Sequence, residues 1–152
     1  MKYLKYILFS LLVFSPALAK EDFSLRFKNE NEVIYTPSDW VKISEEGAFD
    51  FYVSKVTPKI DHTHHRVFSL VEFAEPRKYQ SLNSLVKRIF SFGIMDCENA
   101  VFYLLTDIYT DSNNNIIFVA DYKSNPEVVE VSTPDTPRNK AFIKVCFVGL
   151  ET

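Results

Sequence analysis

Five stretches of this chain are dense in aromatic and β-branched residues and bounded by polar turns: AFDFYVS, RVFSLVEFA, LVKRIFSFGIMDC, VFYLLTDIYT and IIFVADYK. With fourteen Phe and eight Tyr, the chain is 15% aromatic, and such residues favour half-buried strands. Strands that follow one another through short polar connections predict an antiparallel meander. In the first, Phe49 and Phe51 share a face; just before it, Val41 and Ile43 alternate with polar residues and SEEG marks a turn. In the second, Val67, Val71 and Phe73 fall on one parity and Phe68 and Leu70 on the other, so both faces are expected to be covered. Gly93 inside the third predicts a bulge or a close backbone approach. In the fourth, alternation places Phe102, Leu104 and Ile108 on one face and Tyr103, Leu105 and Tyr109 on the other. EVVEVS reads as a short further strand, and EPRKYQSLNS as a connection containing a helical turn.

Helical spacing is confined to the last part. Thr136 before Pro137 is an N-cap followed by proline at the first helical position. Ala141, Phe142, Val145 and Cys146 then fall on one face, and Gly149 is a natural stop. A helix this short is marginal alone in water and has to dock.

The first residues read differently. MKYLKY, the apolar run ILFSLLVF and SPALA have the order of a secretory leader over residues 1–19, cleaved after Ala19. The apolar run falls short of the roughly 20 residues needed to span a bilayer. No cysteine stands at the cleavage point to carry a lipid, and no later stretch supplies a transmembrane anchor. Residues 20–39 are polar and weakly patterned, a mobile segment by expectation; 40–149 carry the domain. The only two cysteines, Cys97 and Cys146, lie in the exported part, where an even count reads as a disulfide. The alternative is a pair of buried free thiols. A redox role lacks C-x-x-C.

Formal net charge is −3, and losing Lys2 and Lys5 with the leader makes the remainder more acidic. That excludes the basic stripe nucleic acid requires and gives no polybasic attraction to anionic lipid. No G-x-S-x-G or Walker loop occurs, and with three glycines a phosphate cradle is not expected. We therefore expect no enzyme and no cofactor.

The sequence is similar to one family. W-x-x-I, FDFYVS, VFSLVEFAEP, a strand ending in Asp96-Cys97, a strand with Tyr109 before a polar turn, and a helix ending in Val145-Cys146 resemble the surface-adhesin protein E family of Gram-negative bacteria, over Trp40 to Phe147. DSNNN stands where members often carry glycine, and the tryptophan common after the fifth strand is missing. The resemblance implies an α+β fold: a small antiparallel sheet of about five to six strands, a meander, with a C-terminal helix tethered to it by a disulfide. It also implies a binding protein at the periplasm or outer cell surface, with a host extracellular-matrix or serum protein as partner, and leaves a homodimer open. A periplasmic structural or housekeeping module with no host ligand is the alternative.

Three motifs bear on chemistry. DHTHH, from Asp61 to His65, holds all three histidines. Extended, it points His62 and His64 to one face and His65 to the other. Asp61, His62, His64 and His65 are candidate ligands for weak Zn²⁺ or Cu²⁺ binding, but a closed site needs four ligands in defined geometry. The competing reading is the solvated loop of a hairpin. D-x-N-x-N at Asp111, Asn113 and Asn115 mimics the start of a calcium loop, but Ile116 and Tyr122 stand where glycine and a bidentate Glu belong, so a hairpin turn is expected. Tyr52, Tyr79, Tyr103, Tyr109 and Tyr122 could form a recognition face, since tyrosine offers large contact area at low entropic cost; the competing reading is a half-buried sheet core.

Overall fold

Alternating apolar residues give strands that need a second layer on each face, and the chain supplies a different one for each. The computed structural model describes residues 26–79 and 81–150. The expected leader and its cleavage point lie outside the described residues. In order, the elements are β1 (Arg26–Asn29), β2 (Glu32–Ile34), a 3₁₀ turn (Pro37–Asp39), β3 (Trp40–Glu45), β4 (Phe49–Ser54), β5 (His64–Lys78), β6 (Leu85–Asp96), β7 (Val101–Thr110), β8 (Ile116–Asp121), β9 (Glu127–Glu130) and α1 (Pro137–Ile143), which continues as a π-helical turn (Lys144–Val148).

Strands β3 to β8 pair in sequence order, all antiparallel, as the meander requires. Strand β7 is shared on its outer side: β8 pairs with Thr106–Thr110 and β9 with Val101–Leu104. The sheet thus has seven strands, more than the five to six expected, because Trp40–Glu45 is a full strand on β4. Strand β5 also runs past Ala74 to Lys78 where a helical turn was expected. A register shift between Glu72 and Arg77 lets it carry Pro76, since a bulge spares proline a ladder bond. Lys87 Nζ donates to the Phe73 and Ala74 carbonyls there, at 2.6 and 2.9 Å.

Residues 26–39, which carry little pattern, are not a loose tail. They fold as the β1–β2 hairpin, tied to the β7–β8 turn by Val33 N–H to Asn114 O (3.0 Å) and Ile116 N–H to Asn31 O (2.8 Å). The hairpin covers one face of the sheet. Val33, Trp40, Phe68, Leu70, Phe90, Ile108 and Val119 form a buried cluster there. Trp40 and Tyr35 pack on Phe90 with centroids 5.8 and 6.1 Å away, and Phe68 stacks on Phe92 at 4.7 Å. At its rim the Arg88 guanidinium bonds Glu72 (2.7 Å) and Asn114 (2.8 Å) and lies over the Tyr35 ring.

The opposite face carries α1. The Thr136 hydroxyl accepts from Asn139 N–H, capping the helix as expected. Ala141, Phe142 and Val145 pack on Phe51, Val53, Val67, Met95 and Val131. Cys146, in the π turn, is disulfide-bonded to Cys97 just past β6, with Cα atoms 5.7 Å apart.

One local feature decides which residues face the helix. Gly93 pairs with Leu104 and Phe92 with Thr106, leaving Leu105 as an extra residue in β7. Any side chain at Gly93 would run into the Tyr103 carbonyl and the Phe102 ring. The bulge reverses the alternation of β7. Phe102 and Leu104 therefore share the helix face with Asp107 and Tyr109, while Ile108 turns to the hairpin face. Strict alternation, which grouped Ile108 with Leu104 and Tyr109 with Leu105, fails at this point.

Candidate functional site

Helix α1 is short and covers only part of its face. Beside it remains a cleft of about 90 Å³. Its walls are apolar, from Phe51, Val67, Val71, Leu104 and Val129 among others, and its floor carries Ser69, Ser91 and Asp107, with Arg138 of α1 at the margin. Ser69 pairs with Ser91 and Ser91 with Asp107 across β5, β6 and β7, so the polar floor is one straight row of the sheet.

Asp107 is 9% exposed. Ser91 Oγ donates to its Oδ1 at 2.6 Å, and among the described residues no donor reaches Oδ2 in the bonds present. Burial pushes its carboxyl above the ordinary range; the Ser91 bond opposes this, nearby Glu127 adds to it and Arg138 offsets part.

Beyond the cleft the same face is open. In the next row, Val71–Ile89–Tyr109–Phe118, Val71 packs against the helix-side cluster and the other three residues lie outside it. Tyr79, from the β5–β6 connection, folds back onto it. Phe49, Phe73, Tyr79, Tyr109 and Phe118 form a continuous string of edge-on or tilted rings, with successive centroids 6.5, 6.3, 5.5 and 5.8 Å apart. Arg77 lies over the Phe73 ring at 5.0 Å. Phe73 is buried, Tyr79 and Tyr109 are half-buried, and Phe118 is 39% exposed. Tyr122 joins this end because its N–H bonds the carbonyl of Leu105, the bulged residue, at 2.8 Å. Burial raises the Tyr109 hydroxyl, and Asp107, Tyr122, Tyr79 and Glu127 raise it further; Tyr122 is raised by burial, then by Asp107 and Glu127. Of the five tyrosines considered from sequence, the structure gathers Tyr79, Tyr109 and Tyr122. Tyr52 packs on the hairpin-side cluster, and Tyr103, paired with Ile94 and Val128, also faces away.

Of the DHTHH residues the structure brings Asp61 and His64 together, while His65 turns to the other side. Asp61 and His62 are exposed in the β4–β5 loop, while His64 and His65 begin β5. The Asp61 carboxylate accepts from the N–H groups of Thr63 and His64, both at 2.9 Å, and contacts His64 Nδ1 at 2.9 Å. These bonds hold the Asp61 carboxyl well below its usual range, and Asp61 in turn raises His64. His64 Nε2 lies 3.6 Å from Asp96, whose carboxylate ties down Asn99 and Glu98 beside the disulfide. His65 is buried on the other side, and burial lowers it. The loop reading therefore needs correcting for His65, which is core. Among the described residues no three His, Cys, Asp or Glu side chains lie together as a metal would need. The Asp111–Asn115 motif is the β7–β8 turn: Asp111 Oδ1 accepts from Asn113 and Asn115 N–H, and Asn114 takes positive φ.

Sequence reasoning missed Asp107, Ser91 and Arg138. The one available signal was Gly93, since the bulge beside it is what turns Asp107 inward. No family model, curated protein or solved structure matches this chain.

Proposed function

We propose that the protein is an exported, non-enzymatic binding module of the surface-adhesin protein E type, which recognises a protein partner with the open, tyrosine-bearing side of its sheet. The observation that carries this reading is the string from Phe73 through Tyr79 and Tyr109 to Phe118: aromatic side chains held rigidly by one another on a face that the helix leaves uncovered. Aromatic groups with a polar tip are the residues that concentrate binding energy at protein interfaces. The disulfide and the leader-like first nineteen residues support export. Among the described residues no helix is long and apolar enough to cross a membrane. The sequence resemblance supports a host matrix or serum protein as partner.

The test is binding of the oxidised mature chain to immobilised matrix and serum proteins, paired with protease shaving of intact cells. Tyr109→Ala and Tyr79→Ala each weaken capture by about thirtyfold, the size of an interface hot spot. Tyr103→Ala, on the other face, leaves it unchanged. Capture insensitive to the first two substitutions would assign recognition to another surface. A chain that shaving never reaches is a periplasmic module instead.

A further inference from the structure

The cleft beside α1 combines features that a merely unfilled gap does not need. Its carboxyl group is buried, fixed through one oxygen by Ser91, and lines the cleft. Burying a carboxyl costs free energy unless its hydrogen-bonding capacity is met. The rows on either side place Leu104 and the ring of Tyr109 at the corresponding positions. Glu127, paired with Leu104, stands at the same edge and adds negative potential. Three tyrosines, Tyr79, Tyr109 and Tyr122, lie close enough to feel the Asp107 charge. A carboxylate within apolar walls, with Tyr109 in the next row of the same face, forms the chemistry that receives an organic cation. Arg138, the nearest basic group to feel Asp107, sits exposed at the margin and makes no ion pair with it within 4.0 Å.

We infer that the Asp107 cleft receives the cationic side chain of a protein partner, a lysine ammonium on its four-carbon stem, with Ser91 orienting the carboxylate and Tyr109 flanking the charge. This rests on the reading of the open face as a protein-binding surface, and gives that surface a preference for a basic residue at its helix end. Arg138, exposed at the margin, is the charge that competes with the guest for the field of Asp107.

The inference is tested with butylammonium, which carries the stem and charge of lysine, against butanol, which carries the stem without the charge, and butyrate, a similar alkyl chain with the opposite charge. Amide shifts of Ser91, Asp107 and Tyr109 in the oxidised mature chain report occupancy by NMR. Butylammonium binds at least about tenfold more tightly than butanol, since a charge-assisted contact is made only by the amine; butyrate does not bind. Asp107→Asn removes the preference for the amine over butanol, and Arg138→Gln improves amine binding several-fold. Amine binding strengthens as pH rises through the elevated pKa of Asp107, in a field shared with Glu127, Arg138, Tyr79, Tyr109 and Tyr122. Equal binding of amine and alcohol, or no binding by a chain whose spectrum shows it folded, overturns the inference. If Asp107→Asn does not fold, the Arg138→Gln and alcohol comparisons decide it alone. These probes are independent of any macromolecule: amine binding without partner capture refutes the binding-module reading and not the cleft, and the reverse result refutes the cleft alone.

Discussion

The two faces of the sheet are covered by different means. On the hairpin side, β1–β2 and Trp40 close over Leu70, Phe90 and Val119, and the rim is finished by Arg88. On the helix side, a seven-residue helix lies over strands up to fifteen residues long. It cannot cover them, and it is held by a covalent bond as well as by packing. The difference teaches that stability and recognition are separated here by face. The sealed side supplies apolar burial, while the part-covered side keeps a carboxyl lining a cleft and a string of aromatic rings that ends at the exposed Phe118.

The comparison can be broken most forcefully at Phe90, which is 1% exposed at the centre of the sealed cluster. Phe90→Ala should cost about 3–5 kcal/mol, measured by denaturant unfolding, because truncation leaves a cavity. A loss below about 1 kcal/mol would mean that this side is not the principal core. Opening the disulfide, with Cys97→Ser and Cys146→Ser together, removes a cross-link spanning 49 residues, worth about 4 kcal/mol or less. Hydrogen exchange should then rise first in α1 and in the strands beneath it, with the hairpin face following later. Simultaneous loss of protection on both sides would erase the distinction.

Smaller perturbations sharpen it. Gly93→Ala forces the Tyr103 carbonyl and the Phe102 ring apart and should cost about 1–3 kcal/mol, as overpacking does, while altering the amide spectrum of Ser91 and Asp107. Thr136→Ala removes the cap of α1 and costs about 1 kcal/mol, visible as a lower Tm. The last effect is one of pH. The Asp107 carboxyl is raised above its unfolded value of 3.8, so its ionisation opposes folding. The penalty is absent below that unfolded value, grows as pH rises towards the folded pKa and is complete above it. Asp107→Asn should therefore equal the parent chain in stability at acid pH and exceed it at neutral pH; a parent chain more stable at neutral pH would show that the carboxylate is satisfied in the fold.

Much of the scaffold was legible in the residues. Aromatic runs between polar turns specified the meander, Thr136-Pro137 the start of the helix, and two cysteines their own pairing. Two parts were not. Residues 26–39 gave little pattern because their hairpin strands are three and four residues long, too short for alternation to register. The cleft was hidden by the bulge at Leu105, because one extra residue inverts every assignment downstream of it. DHTHH drew attention through composition alone. Its histidines part because adjacent residues of a strand point to opposite sides, sending His64 towards Asp96 and His65 into the core.

The bond between Cys97 and Cys146 also has a mechanical meaning. It closes β7, β8, β9, all of α1 and the start of the π turn into a covalent ring attached to the end of β6. Tension drawn between the two ends of the domain travels through sulfur from the π turn straight into β6, bypassing the ring. Strands β3 to β6 carry that load. The strands that bear Asp107, Tyr109, Phe118 and Tyr122 do not, so a partner held there can be pulled on through the domain without the chain being drawn taut beneath it.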